Sequence, residues 1–271
     1  MKRIGLLGCG AMGTRIAGAV TSGAVPARLV AVYDTSRDAA ERLAAAHGDP
    51  EIAGNVHLLS SMPLDIIVEA ASQEAVRQSA LGILQDRRDL LVMSTGALLD
   101  DAVRDVLEDA CRDYNRRLVL PSGAIAGLDA VRAARDGLES VSITTTKHPR
   151  SYRGAAYFAE NAADPSSITS RTVLYEGPAS EAVRLFPANA NVAALLSLAG
   201  IGGGRTLARI VADPGADSNT HHIEASGPFG GLDITVRNRP DPQNPGTSLL
   251  ASLSAIEALG AYCSGGPRPG A

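Results

Sequence analysis

The run Gly8-Cys9-Gly10-Ala11-Met12-Gly13 places three glycines at the spacing G-x-G-x-x-G. A short apolar stretch, Arg3-Ile4-Gly5-Leu6-Leu7, precedes it, and Thr14 to Thr21 after it reads as a helix. In that strand–turn–helix setting the spacing has a chemical use. The first glycine permits a tight turn, the second lets backbone approach a pyrophosphate, and the third lets helix and strand pack closely. The helix start offers free N–H groups and positive dipole charge to the phosphates. Cys9, Ala11 and Met12 lie inside the turn and are expected cofactor contacts with the glycines. Asp34 ends the next predicted strand, about 20 residues on, where a carboxylate accepts from ribose hydroxyls and repels a 2′-phosphate. That favours NAD. Arg37, three residues later, could face a 2′-phosphate and keeps NADP open.

Glu69-Ala70-Ala71-Ser72 and Ser94-Thr95-Gly96 end further predicted strands. Open α/β sheets bind ligands at that edge, and the small Ala71 and Ser72 would let a nucleotide ribose approach backbone. His221 and His222 share a predicted strand, so they point to opposite faces. One of them is the candidate general base, because histidine titrates nearest neutral pH. Asn189 and Asn191 open a predicted helix; one is expected to cap it, leaving the other for a ligand. Lys147 and Arg150, in Lys147-His148-Pro149-Arg150, are candidates for holding substrate carboxylates, as are backbone N–H groups near Ser122 and Gly123.

These residues need elements to hold them. Predicted strands at Leu29–Tyr33, Val56–Leu59, Asp65–Val68, Leu90–Met93 and Arg117–Leu120 alternate with helices at Ser36–His47, Gln73–Leu84 and Leu99–Tyr114. That alternation predicts βαβ units and an α/β, Rossmann-type doubly wound parallel sheet over residues 1–121. The pattern changes at Pro121. Residues 122–245 predict an α+β domain with a mixed sheet. Its strands are expected at Ser140–Lys147, Arg171–Tyr175, Arg205–Val211, His221–Ala225 and Leu232–Arg237. Its helices are expected at Ala126–Ala134, Ala179–Leu185 and Asn189–Ala199, with an irregular insertion at Ser151–Ser170. A last helix is expected over Thr247–Tyr262, and the Gly/Pro-rich residues 264–271 as a flexible tail.

Composition narrows the function. The chain has 271 residues, enough for two cores. A net charge of −4 gives no basic footprint for nucleic acid, and no basic cluster suits an anionic membrane. Apolar runs are too short for a membrane span, and the N-terminus does not read as a signal peptide. Three distant cysteines, Cys9, Cys111 and Cys263, fit neither a disulfide framework nor a metal pattern. A cytoplasmic protein without a metal is expected.

Longer blocks carry a resemblance. Besides the glycine turn and Glu69–Ser72, they are Pro121–Asp129, Phe186–Ala194, Asn219-Thr220-His221-His222-Ile223 and Asn244–Ile256. In this order and over nearly the full length, the chain resembles the L-aspartate dehydrogenase family. The resemblance implies NAD(P)-dependent, reversible oxidation of L-aspartate to iminoaspartate, then to oxaloacetate and ammonium. The resemblance leaves open NAD biosynthesis as a use of that product. It implies that His221 is the catalytic histidine and that Ala124 and Asn189 touch cofactor; of the asparagine pair, Asn191 is then the candidate for the substrate. It implies a homodimer, and a C-terminal helix, residues 246–263, that returns to the cofactor domain. His222 stands where the family usually has an acidic residue, which keeps the choice between the two histidines open. The Rossmann reading is shared by rivals: another NAD(P)-dependent amino or 2-oxo acid dehydrogenase, a semialdehyde or phosphorylating aldehyde dehydrogenase, which needs an activated thiol, and a non-catalytic NAD(H) sensor.

Overall fold

The computed structural model describes residues 1–241 and 244–264. The chain divides into two compact units, Met1–Pro121 with the C-terminal segment from Ser252, and Ser122–Ala251.

The first unit is built from β1 (Lys2–Leu7), α1 (Ala11–Thr21), β2 (Ala27–Tyr33), α2 (Arg37–Ala46), β3 (Glu51–Ile52), α3 (Val56–Ser61), β4 (Ile66–Glu69), α4 (Gln73–Gln85), β5 (Asp89–Val92), α5 (Asp101–Asp113) and β6 (Leu118–Val119). All strand pairs are parallel, in the order β3-β2-β1-β4-β5-β6. This is the doubly wound order whose direction reverses beside β1. Strands β4 and β5 are buried at every residue, as expected where helices cover both faces. Ser36 caps α2 by accepting from the Ala39 N–H.

Two readings are corrected here. Val56–Leu59, expected as a strand, is the start of α3. The Asn55 side chain accepts from the Leu58 N–H, and that cap commits the following turn to a helix. The strand in this part of the chain is β3, five residues earlier and only two residues long. Leu99–Tyr114 is not one helix: Thr95–Leu99 is a 3₁₀ turn, and Asp100 caps the separate helix α5.

The second unit contains α6 (Leu128–Ala133), β7 (Ser140–Lys147), α7 (Ala156–Glu160), β8 (Thr172–Pro178), α8 (Ala179–Leu185), α9 (Asn191–Ala199), β9 (Leu207–Ala212), β10 (Asn219–Gly227), β11 (Gly230–Asn238), β12 (Pro240–Asp241) and β13 (Asn244–Ser248). Its main sheet has the order β11-β10-β7-β9-β8. The β7–β9 pair is parallel and the others antiparallel, so the sheet is mixed. Burial alternates along β7 and along β10, the signature of a sheet with one covered face. The insertion expected to be irregular, Ser151–Ser170, holds α7 and a 3₁₀ turn at Pro165–Ser167, and takes up the end of another, Pro149–Tyr152.

The last helix, α10 (Leu249–Cys263), starts later than expected because Asn244–Ser248 pairs with Pro240–Asp241 as a hairpin. Ala255 and Leu259 enter the core of the first unit with Ile4, Leu6, Ile66 and Leu91. Burying a leucine this fully is worth about 1.5–3 kcal/mol. Tyr262 adds a polar anchor: its hydroxyl donates to Asp89 Oδ2 at 2.7 Å and lies 3.2 Å from the Asp65 carbonyl. Apart from Ser264, the tail expected at 264–271 lies outside the described residues.

Tyr262→Phe keeps the ring and removes the donor to the Asp89 side chain. It is expected to lower stability by about 1.5 kcal/mol, read from urea unfolding as a shifted midpoint with an unchanged slope. An unshifted midpoint would show that apolar packing alone holds α10.

Candidate active site

The glycine turn joins the carboxyl end of β1 to α1. Gly8 has φ +102°, and a Cβ there would meet the Ala70 carbonyl at 2.6 Å. A Cβ on Gly13 would run into the Gly8 carbonyl oxygen. Neither position has room for a side chain. Gly10 is the opposite case: nothing lies within 4 Å of where its Cβ would stand. It precedes an 11-residue helix that has no side-chain cap, so backbone N–H groups face an open approach. These features fit a dinucleotide pyrophosphate.

Asp34 braces the turn from the end of β2. Its Oδ2 accepts the Cys9 N–H at 2.7 Å and its Oδ1 the Ser36 N–H at 2.8 Å. A carboxylate has further lone pairs, so Asp34 can also accept from a ribose. It lines a cavity of about 500 Å³ together with Gly8, Tyr33, Ala71 and Ser72. Ser72 also caps α4 through the Ala75 N–H. Arg37 pairs with Glu41 at 2.9 Å on the exposed face of α2. Cys9 is buried, and burial followed by the Asp34 charge pushes its thiol up to about 12. It is therefore a thiol at neutral pH, unsuited to the nucleophilic role that a semialdehyde dehydrogenase requires.

Glu69, the last residue of β4, was not singled out as a functional side chain in the sequence. It is 1% exposed. Oε1 accepts from the Ala71 N–H and the Ser94 hydroxyl, each at 2.8 Å. Oε2 accepts from the N–H groups of Met93 and Ser94 at 3.1 and 3.0 Å. One carboxyl thus ties together the two turns expected to border the cofactor. Burial pushes its pKa up, and the four donors oppose that rise.

In the second unit, strand alternation assembles a polar layer. Along β7, Val141, Ile143, Thr145 and Lys147 are buried; along β10, Asn219, His221, Ile223 and Ala225 are buried. Thr145 pairs with His221 across the strands, and Ile143 with Ile223. The shared face is therefore apolar at one end and polar at the other. His221 Nδ1 lies 2.9 Å from Thr145 Oγ1, and Lys147 Nζ donates to Asn189 Oδ1 at 3.0 Å. Asn219 Nδ2 donates to Ser248 Oγ at 3.3 Å. Burial, then the Lys147 charge, lowers the His221 pKa to about 3. Burial lowers the Lys147 pKa to about 8. At neutral pH the imidazole is an uncharged proton acceptor beside an ammonium.

His222 points to the other face, as alternation requires. It is half-exposed and pairs with Asp233 at 3.0 Å. Asn189 does not cap α9: the helix begins at Asn191, its N-cap is Ala190, and no side chain caps it. The physical reason is that the Asn189 carbonyl oxygen faces the Lys147 ammonium instead. Arg150 is exposed, and its backbone N–H donates to His148 Nδ1. Ala124 is buried, with its carbonyl accepting from Asn238 Nδ2 at 3.0 Å. Beside it, Gly123 has φ +65° and Ser122 is exposed. Thr145, Asn219 and Ser248 had no sequence signal as single residues. The period-two reading of Ser140–Lys147, however, already placed Thr145 on the face of Lys147.

Two measurements test these environments. In Glu69→Gln the amide NH₂ would face N–H donors and leave one unsatisfied. The expected cost is about 1–3 kcal/mol in urea unfolding; a cost near zero would show that the donors have other partners. His221 gives a pH signature. Its folded pKa lies below the ordinary 6.5, so between those values the unfolded chain binds a proton that the folded chain refuses. Stability must fall as pH drops below about 6.5, with a slope of up to about 1.4 kcal/mol per pH unit from this group. The wild type should therefore lose stability relative to His221→Gln between pH 7 and pH 5. Parallel curves would mean that His221 gains its proton freely in the folded state.

A family model described as the C-terminal part of aspartate dehydrogenase matches residues 129–262. One described as the NAD-binding domain of homoserine dehydrogenase matches residues 8–121. The chain is 58% identical over 265 residues to an L-aspartate dehydrogenase of Nitrosopumilus maritimus, covering 97% of each chain. It is 43% identical to one of Methanococcoides burtonii, covering 96% of each. Among solved structures, an aspartate dehydrogenase of Thermotoga maritima superposes with a TM-score of 0.72 at 25% identity, covering 96% of this chain and 94% of that one. With its glycine turn on a parallel sheet and its histidine on a mixed one, the chain belongs to the L-aspartate dehydrogenase family.

Proposed function

We propose that this protein catalyses the NAD(P)-dependent, reversible oxidative deamination of L-aspartate. L-Aspartate, water and oxidised cofactor give oxaloacetate, ammonium, reduced cofactor and a proton. The observation that carries this reading is the buried, neutral His221 beside Lys147 in a member of this family. The glycine turn at Gly8–Gly13, with Asp34, Ala71 and Ser72, would hold the dinucleotide, and Ala124 is a further contact. When bound, the nicotinamide supplies the hydride acceptor. Asp34 favours NAD over NADP, and the Arg37–Glu41 pair leaves Arg37 committed elsewhere.

The remaining chemistry is proton transfer and charge placement. A zwitterionic amino acid must lose an ammonium proton before its C2 can release hydride. His221 takes that proton. With Nδ1–H donated to Thr145, Nε2 presents the lone pair. After releasing that proton to solvent, the same nitrogen removes a proton from the water that attacks the imine carbon and passes it to the departing amine, which leaves as ammonia. A pKa near 3 makes His221 a weak base without substrate. Part of that depression comes from the Lys147 charge. A substrate carboxylate on Lys147 offsets that charge and raises the imidazole toward the working pH, where a general base is most effective. Asn189 keeps the lysine in place, and Asn191 and the Ser122–Gly123 backbone are assigned to the substrate.

The setting we propose is a cytoplasmic homodimer. Cys9, Cys111 and Cys263 are all free thiols, which suits a reducing compartment. No described helix is long and apolar enough to cross a membrane.

The test follows absorbance at 340 nm with oxaloacetate, ammonium and either NADH or NADPH. Oxidation is expected to need both ammonium and oxaloacetate. His221→Ala should lower kcat by about 10²–10⁴-fold, and Lys147→Met should mainly raise KM for oxaloacetate. Full activity in His221→Ala would move the base elsewhere. Cofactor binding without turnover would leave the sensor reading.

A further inference from the structure

The parallel sheet has a second edge. At the amino ends of its strands, away from the glycine turn, a cavity of about 410 Å³ is lined by Lys2, Arg3, Arg87, Arg88, Arg116 and Arg117. Among the described residues, two carboxylates, Asp65 and Asp89, lie with them. The chain as a whole is acidic, at −4, so this concentration of positive charge runs against its composition.

The existing pairings leave the charge unbalanced. Asp65 serves Arg3 at 3.3 Å and Lys2 at 3.9 Å. Asp89 lies 3.7 Å from Arg116 and also accepts from Tyr262 and the Arg117 N–H. Arg88 spends its guanidinium on the Ser60 and Leu64 carbonyls, at 3.0 and 3.1 Å, so its orientation is fixed while no carboxylate among the described residues forms an ion pair with it. The side chains of Arg87 and Arg117 have no hydrogen bond or ion pair among the described residues, and both are exposed at the cavity rim. The twin pairs Arg87-Arg88 and Arg116-Arg117 lead into the neighbouring strands β5 and β6. Each is delivered by a residue in the left-handed region, Arg87 at φ +59° and Asn115 at φ +51°. Such non-glycine conformations cost energy.

We propose that this cavity is a binding site for a compact oligophosphate, separate from the cofactor turn. Guanidinium forks match phosphate oxygens in pairs. The volume falls within the range of small-molecule sites. The lining is almost wholly polar, with Leu64 and the Tyr262 ring the exceptions. The site therefore selects charge density rather than a nucleobase. Inorganic pyrophosphate and the triphosphate tail of a nucleotide share this chemistry, and a single phosphate offers too little charge to span both arginine pairs.

The cofactor carries its own pyrophosphate, so the experiment begins with full-length protein saturated with NADH. Calorimetric titration with inorganic pyrophosphate, triphosphate, ATP or AMP is run at ionic strength matched with NaCl. Pyrophosphate, triphosphate and ATP are expected to bind, with AMP at least tenfold weaker. The double variant Arg87→Gln/Arg117→Gln removes two exposed side chains. It should weaken pyrophosphate binding at least tenfold and flatten its salt dependence, while the unliganded melting temperature and NADH affinity stay unchanged. ATP binding with no response to pyrophosphate or triphosphate would point to nucleoside recognition and overturn the oligophosphate assignment. Absence of pyrophosphate binding, displacement of NADH by pyrophosphate, or unaltered binding in the double variant would each overturn the site. The arginines would then serve only the carboxyl ends of the preceding helices, where cations are favoured.

Discussion

Alternate residues of a strand share a face, and neighbouring strands in register share it with them. In the mixed sheet this constraint puts Thr145, Lys147, Asn219 and His221 on one covered face beyond Ile143 and Ile223. Everything chemical about the second unit depends on it. Because the face is covered, the lysine and the histidine lose their hydration. Burial first, and then the neighbouring ammonium, keep the imidazole uncharged. The cost of keeping such groups from water is met by specific partners, Asn189 for the lysine and Thr145 for the histidine. A substrate bearing negative charge is the natural complement to this arrangement.

The first unit solves a different problem. A parallel sheet with both faces covered has only its two edges left for function. At the carboxyl edge, backbone must come close to a ligand, so side chains are absent at Gly8 and Gly13. Glu69 then takes the place of a backbone scaffold, joining two turns through four hydrogen bonds. At the amino edge the side chains are long and cationic, and β5 and β6 each start from an arginine pair. The two edges are thus chemically opposite: one offers N–H groups in a confined turn, the other offers guanidinium groups around an open cavity.

Much of this was legible in the residues. The glycine spacing, the alternation of strand and helix up to Pro121, and the period-two patterns of Ser140–Lys147 and His221–Ala225 all carry through, because each is a local pattern with a single geometric meaning. The misreadings have two causes, a local cap in one case and partners from elsewhere in the chain in the others. Val56–Leu59 is apolar enough for a strand, and only the Asn55 cap decides for a helix. Asn189 has the right position and chemistry to cap α9, yet the Lys147 ammonium, 42 residues away in sequence, offers its oxygen a stronger partner. Asn244–Ser248 carries no strand pattern of its own and becomes a strand by pairing with Pro240–Asp241.

By itself the sequence determined the order of elements, the dinucleotide turn and the short set of groups able to move protons, because these follow from neighbours along the chain. The tertiary structure decided which histidine is buried against Thr145, that this burial and the neighbouring Lys147 charge keep it neutral, and that Glu69 binds two turns together. It also decided that arginine pairs 29 positions apart line one cavity. Desolvation and charge act through space, and the distances on which they depend exist only once the strands have paired.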